Sequence, residues 1–64
     1  MKRNKFIKYL EKNNCAKIRE GGSHTLYRNI SNSQMSTVPR HPDIKENLCR
    51  KICKDLGIPD ILQQ

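Results

Sequence analysis

Apolar residues return along this chain with two different periods, and each period predicts its own kind of element. In "NKFIKYLEKN" (residues 4–13), Phe6, Ile7 and Leu10 share one helical face, while Lys5, Lys8, Glu11 and Lys12 point away from it. Asn4 is placed to cap this first helix, and Asn13–Asn14 to end it, since Asn tolerates a left-handed cap better than other non-glycine residues. In "CAKIR" (15–19) the period shortens to two, Ala16 and Ile18 alternating with Lys17 and Arg19, as a strand requires. After "EGGS" (20–23), a turn, "HTLYRN" (24–29) reads as a second strand. Its inner face is open on pattern alone: His24, Leu26 and Arg28 share one parity, Thr25 and Tyr27 the other. "ISNSQ" (30–34) is a polar connection, and "MSTVP" (35–39) a third strand stopped by Pro39, which has no N–H for a ladder.

From about Lys45 to Leu56 the helical period returns, with Leu48, Ile52 and Leu56 spaced by four and Cys49 and Cys53 beside them. Gly57 serves as the C-cap, Ile58 supplies the accompanying apolar contact, and Pro59 blocks continuation. "DILQQ" is a tail with room for one more turn. Helix, three strands on short connections, helix: the fold class is α+β, a three-stranded antiparallel sheet with two helices on one face. With no repeat and no linker, residues 1–64 read as a single domain.

Composition limits what such a domain does. Of its 64 residues 34% are apolar, with no Trp and one Phe, which suffices for one layer of helix on sheet. A chain this short buries only ~60% of its unfolded surface, so a bound partner is expected to add to its stability. Thirteen Lys+Arg against six Asp+Glu give a net charge of +7, a field that selects polyanions, nucleic acid first. A membrane is not the expected partner: nothing approaches the ~20 apolar residues of a span. "MKRNKFIKYLEK" also lacks the apolar run of a secretory signal. Cys15, Cys49 and Cys53 then read as reduced thiols in a cytoplasm. Cys49 and Cys53 lie four apart and would offer two thiolates to a metal, but zinc sites normally need four ligands at recognisable spacing, so packing is the preferred reading.

"REGGSHTLYRN" (19–29) holds the chemistry. A histidine after Gly-Gly-Ser and between two arginines serves as a turn filler, a phosphate contact or a proton-transfer group. Cleaving RNA through the adjacent 2′-OH needs proton removal from that hydroxyl, charge stabilisation at phosphorus and protonation of the leaving 5′-oxygen. An imidazole with a pKa near ~6.5 serves as base or acid at neutral pH. Backbone N–H groups at Gly21, Gly22 and Ser23 can form an anion nest, and Arg19, Arg28 or Arg40 can brace a phosphate bidentately. The carboxylates (Glu11, Glu20, Asp43, Glu46, Asp55, Asp60) are scattered, so no Mg²⁺ cluster and no cofactor is expected. His41 reads as a loop residue that caps or touches phosphate, with a second acid–base role as the alternative. Ser23 is discounted as a nucleophile because RNA carries its own. Lys45, Arg50, Lys51 and Lys54 on the second helix, and Lys2, Arg3, Lys5 and Lys8 around the first, suit position-setting contacts to an RNA backbone.

The run "REGGSHTLYRN" followed by "TVPRHPDIKENLCRKICKDLGI" resembles the HicA toxins of bacterial toxin–antitoxin modules. Its most specific pieces are Gly22-Ser23-His24 after an arginine and Val38-Pro39-Arg40-His41 before the last helix. The resemblance spans roughly residues 5–62. It implies a double-stranded-RNA-binding-domain-like fold, cleavage of mRNA in a bacterial cytoplasm, silencing by a HicB-type antitoxin, and His24 as the catalytic histidine. Two departures stand out: Asn14 where the family often has Gly, and Gly21, which is expected to loosen the loop, where it has a long polar side chain. Two other readings compete. A non-catalytic RNA-binding module of the double-stranded kind needs the fold and charge but not the histidine. An interaction protein with a basic face would bind only an acidic partner.

Overall fold

The computed structural model describes residues 1–63, in the order α1 (Arg3–Lys12), β1 (Cys15–Glu20), β2 (His24–Asn29), β3 (Met35–Pro39), α2 (Glu46–Leu56) and a terminal 3-10 turn (Ile61–Gln63). The strands lie in the order β1-β2-β3, both pairs antiparallel, with the two helices in a second layer. This is the α+β sandwich that the two periods predict.

Asn4 does not cap α1. The helix begins one residue earlier with Lys2 at the N-cap, and no side chain caps it. Backbone from the segment before α2 takes over instead: Arg3 N donates to Pro42 O at 2.9 Å, and Ile44 N to Met1 O at 2.8 Å. A short bridge between Lys2 and Asp43 completes the seam. At its far end α1 stops as expected, with Asn14 left-handed at φ 66°. Lys45 likewise is the N-cap of α2 rather than its first residue. Gly57 closes α2 at φ 69°, and Ile58 N donates to Cys53 O at 3.0 Å, the six-to-one bond of a Schellman end.

The parity of β2, open in the sequence, is settled by burial. Thr25, Tyr27 and Asn29 face the helices, and His24, Leu26 and Arg28 face outward. Phe6 and Leu10 of α1, Val38 of β3, and Cys49, Ile52, Cys53 and Leu56 of α2 meet Tyr27 and Cys15 in one core. Each large aliphatic or aromatic side chain in it contributes about 1.5–3 kcal/mol. Ile44, in the segment before α2, also belongs to that core. The alternation in β1 breaks at a bulge between Lys17 and Arg19, which leaves Ile18 49% exposed. All three cysteines are free and buried, and burial pushes each thiol up. Cys49 and Cys53 are therefore packing residues of α2.

No helix among the described residues is long and apolar enough to cross a membrane.

Candidate functional site

Strand pairing gathers the outward residues. Because directly opposed residues share a face, Arg19, Leu26 and Thr37 form one row, and Ala16, Arg28 and Met35 another. His24 opens β2 opposite Pro39, at the turn end of this face. Among the described residues no carboxylate side chain lies on this face: Glu20 of β1 and Asp55 of α2 bond to Thr25 and Ser36 on the helical side. The outer face is thus cationic and aliphatic. It also lacks an aromatic side chain.

The turn that presents His24 is tight. Gly21 N donates to His24 O at 2.8 Å. A Cβ on Gly21 would stand 2.6 Å from that same oxygen, so only glycine fits, and the expected loosening at this position is not what the geometry gives. Gly22 has open space around it and Gly21 makes no use of positive φ. The N–H of Gly21 is spent within the hairpin, which removes it from the expected nest. Those of Gly22 and Ser23 have no protein partner among the described residues. His24 is exposed, and its Nδ1 lies 3.0 Å from Ser23 Oγ, which leaves Nε2 as the nitrogen turned to solvent.

Arg40 sits beside this turn and holds it. Its backbone N donates to Ser23 O at 3.1 Å, and its Nη1 reaches Gly21 O at 3.3 Å and Glu20 Oε2 at 3.4 Å. Glu20 is in turn bonded through Oε1 to the hydroxyl of Thr25, its cross-strand neighbour, at 3.2 Å. That bond, then Arg40 and Lys17, hold the Glu20 carboxyl below its ordinary value. Thr25 is fully buried and also accepts from Arg3 Nη2 at 3.2 Å, while Arg3 Nε donates to Pro39 O at 2.9 Å. Thr25 and Glu20 are not site candidates on sequence, and Arg3 is one only as an RNA-backbone contact near the first helix. The "R…E…T…R" connection runs across α1, β1, β2 and the residue after β3, and no spacing announces it.

The remaining expected residues divide between the layers. Arg19 is exposed on the outer face, and Arg28 there donates to Ser33 Oγ at 2.9 Å. His41 is exposed just past Arg40. Lys45 and Lys51 belong to α2 in the helical layer, on the side of the sheet away from His24. Lys51 is paired with Asp55 at 2.8 Å, which holds that carboxyl low. The structure brings Arg19, Gly22, Ser23, His24 and Arg40 to one end of the sheet; Arg28 shares the outer face but lies at the other end of β2, opposite Met35, and Lys45 and Lys51 lie in the helical layer.

The fold and this face define a class: small basic α+β domains that mount an exposed histidine on a hairpin turn at the end of an uncovered sheet face. The family model for the HicA toxin of bacterial toxin–antitoxin modules matches residues 3–58 of the chain, and the chain belongs to that family. It is therefore the toxin component of a toxin–antitoxin pair. No curated protein and no solved structure matches the chain.

Proposed function

We propose that this toxin is an endoribonuclease acting on mRNA, with His24 as its proton-transfer group, and that a HicB-type antitoxin silences it. The observation that carries the reading is His24 itself: exposed, tied at Nδ1 to Ser23, and on an outer face that also carries Arg19 beside it and Arg28 further along β2. With Nδ1 donating to the Ser23 hydroxyl, the Nε2 lone pair is free to take the proton of an RNA 2′-OH. The 2′-oxygen then bonds to the adjacent phosphorus, the P–O5′ bond breaks, and the leaving 5′-oxygen takes a proton from the imidazolium or water. A 2′,3′-cyclic phosphate and a 5′-OH result. On this reading the N–H groups of Gly22 and Ser23 and the guanidinium of Arg19 hold the phosphate oxygens, and Arg28, further along β2, contacts the RNA backbone beyond them. His41 and Lys45 act further along the RNA, as contacts that set its position. No metal or cofactor enters this scheme.

The antitoxin is proposed to lay an acidic surface over His24 and the Arg40–His41 corner. Residues 1–64 act as one unit in the cytoplasm of a bacterium on this reading. The test is incubation of the chain, and of His24→Ala, with labelled mRNA in EDTA, followed by analysis of product ends. The parent should cut and leave cyclic phosphate, and His24→Ala should lose at least ~100-fold in rate. Equal cutting by both would move the role to His41 or to a contaminant. Tight, salt-dependent RNA binding without product would instead make the chain a non-catalytic RNA-binding module.

A further inference from the structure

We propose that Glu20 and Arg40 are positioning residues that set the turn carrying His24, so that a carboxylate is needed beside a site built to receive an anion. The proposal rests on the ribonuclease reading for its catalytic consequence, but not for its structural one. Arg40 grips the turn at three points, through its backbone N on Ser23 O and through Nη1 on Gly21 O and Glu20 Oε2. Exposed ion pairs of this kind contribute little to stability by themselves. This one differs in being anchored. Glu20 Oε1 accepts from the fully buried Thr25 hydroxyl, and Thr25 accepts from Arg3, whose Nε is fixed on Pro39 O. Pro39 faces His24 across the sheet. Bonds thus run from the turn before His24 to its cross-strand neighbour Pro39, with Gly21 O held by the Arg40 guanidinium and Ser23 O by the Arg40 backbone N. Lys17 Nζ, 3.6 Å from Glu20 Oε1, adds a second cation to the same carboxylate.

Two roles for Glu20 predict opposite results. As a bystander carboxylate in a basic protein, it only repels RNA, and Glu20→Gln should tighten binding and speed cleavage. As a positioning residue, it keeps Arg40 on the turn. Its neutralisation should then leave affinity equal or greater while the single-turnover rate falls about tenfold or more, because small displacements of a reacting group are costly. Arg40→Ala should lose rate to the same extent, with affinity lowered as well because a cation is removed. The double variant should lose no more rate than Arg40→Ala alone, since the two side chains act as one device. Arg40→Lys keeps the charge but ends in a flexible ammonium on a shorter stem, without the fixed planar geometry of the guanidinium, so it should recover binding but not the full rate.

The structural half is read without RNA, by 15N relaxation at Gly22 and Ser23 and by the His24 ring signals in the full chain. Glu20→Gln and Arg40→Lys should raise the mobility of the turn and shift the His24 ring signals while melting within a few degrees of the parent. Unchanged relaxation and ring signals in both variants would overturn the proposal, as would Glu20→Gln raising affinity and rate together. A parent chain that cuts no RNA would remove the ribonuclease reading alone, since the relaxation data still decide whether the clamp exists.

Discussion

Two adjacent glycines in the turn before His24 have different reasons to be there. At Gly21 a Cβ would meet His24 O at 2.6 Å, a backbone atom that cannot turn aside, whereas at Gly22 it would meet nothing within 4 Å. Gly21→Ala is therefore expected to destabilise by about 1–3 kcal/mol, the usual cost of forcing an extra carbon into a closed space. Gly22→Ala should be neutral or gain up to ~1 kcal/mol by reducing the freedom of the unfolded chain. Urea unfolding of the two variants measures this directly. Equal stabilities would mean that the hairpin has slack at Gly21. Because Gly21 N–H is bonded to His24 O, the same variant that unfolds more easily should also displace the imidazole, and RNA cleavage should fall with it.

Elements were easier to read in this sequence than the bonds between them. Helical period, Gly57 and Pro59 define the end of α2, and alternation with Pro39 defines β3, because these signals act within a few residues. The start of α1 differs from the expected one for a long-range reason: the N–H of its first residue, Arg3, is satisfied by Pro42 O, about forty residues away in sequence, and no cap from Asn4 fixes the end. His24 draws notice in the sequence because a histidine in a Gly-Gly-Ser turn is locally unusual, but only the family resemblance gives it a catalytic role. Glu20 and Thr25 draw none, since a surface glutamate and a strand threonine look ordinary until pairing sets them side by side. Asn29 shows the same limit. It is buried at the end of β2, and its Nδ2 donates to Leu56 O at 2.8 Å while Ser31 N donates to its Oδ1 at 2.9 Å. Together with Asn32 Nδ2 at 3.1 Å, it satisfies the last carbonyl of α2 and ties that helix to the β2–β3 connection. Asn29→Asp keeps the shape but sets a carboxylate oxygen against Leu56 O. It should cost at least ~2 kcal/mol at neutral pH, with part recovered as the pH falls far enough to protonate the carboxyl. A thermal melt series across pH reads both effects.

Charge organises the molecule as a body, and its sign decides how stability and RNA binding respond to solution conditions. Glu20 and Asp55 both titrate below their ordinary values, Glu20 through Thr25 and Asp55 through Lys51. A depressed folded pKa means that their stabilising contribution is present above the unfolded carboxylate range, near ~4, and is lost as the pH falls through the folded values. With +7 already on the chain, the added protons also increase self-repulsion, so acid should unfold this protein more readily than mild alkali. The same charge makes RNA affinity fall with salt, by about 0.7 in log–log slope for each phosphate neutralised on a single strand. Not every cation contributes. Arg19 and Lys45 pair with no carboxylate among the described residues, whereas Lys51 is held by Asp55 at 2.8 Å, in the layer away from His24. Arg19→Ala should therefore reduce the slope by about one phosphate, or ~0.7, and weaken binding at low salt. Lys51→Ala should leave the slope within error of the parent, because RNA gains little from a cation already neutralised across the sheet. A slope lowered equally by both would place RNA on the helical layer as well as on the outer face, and so make the substrate wrap the sheet edge rather than lie across it.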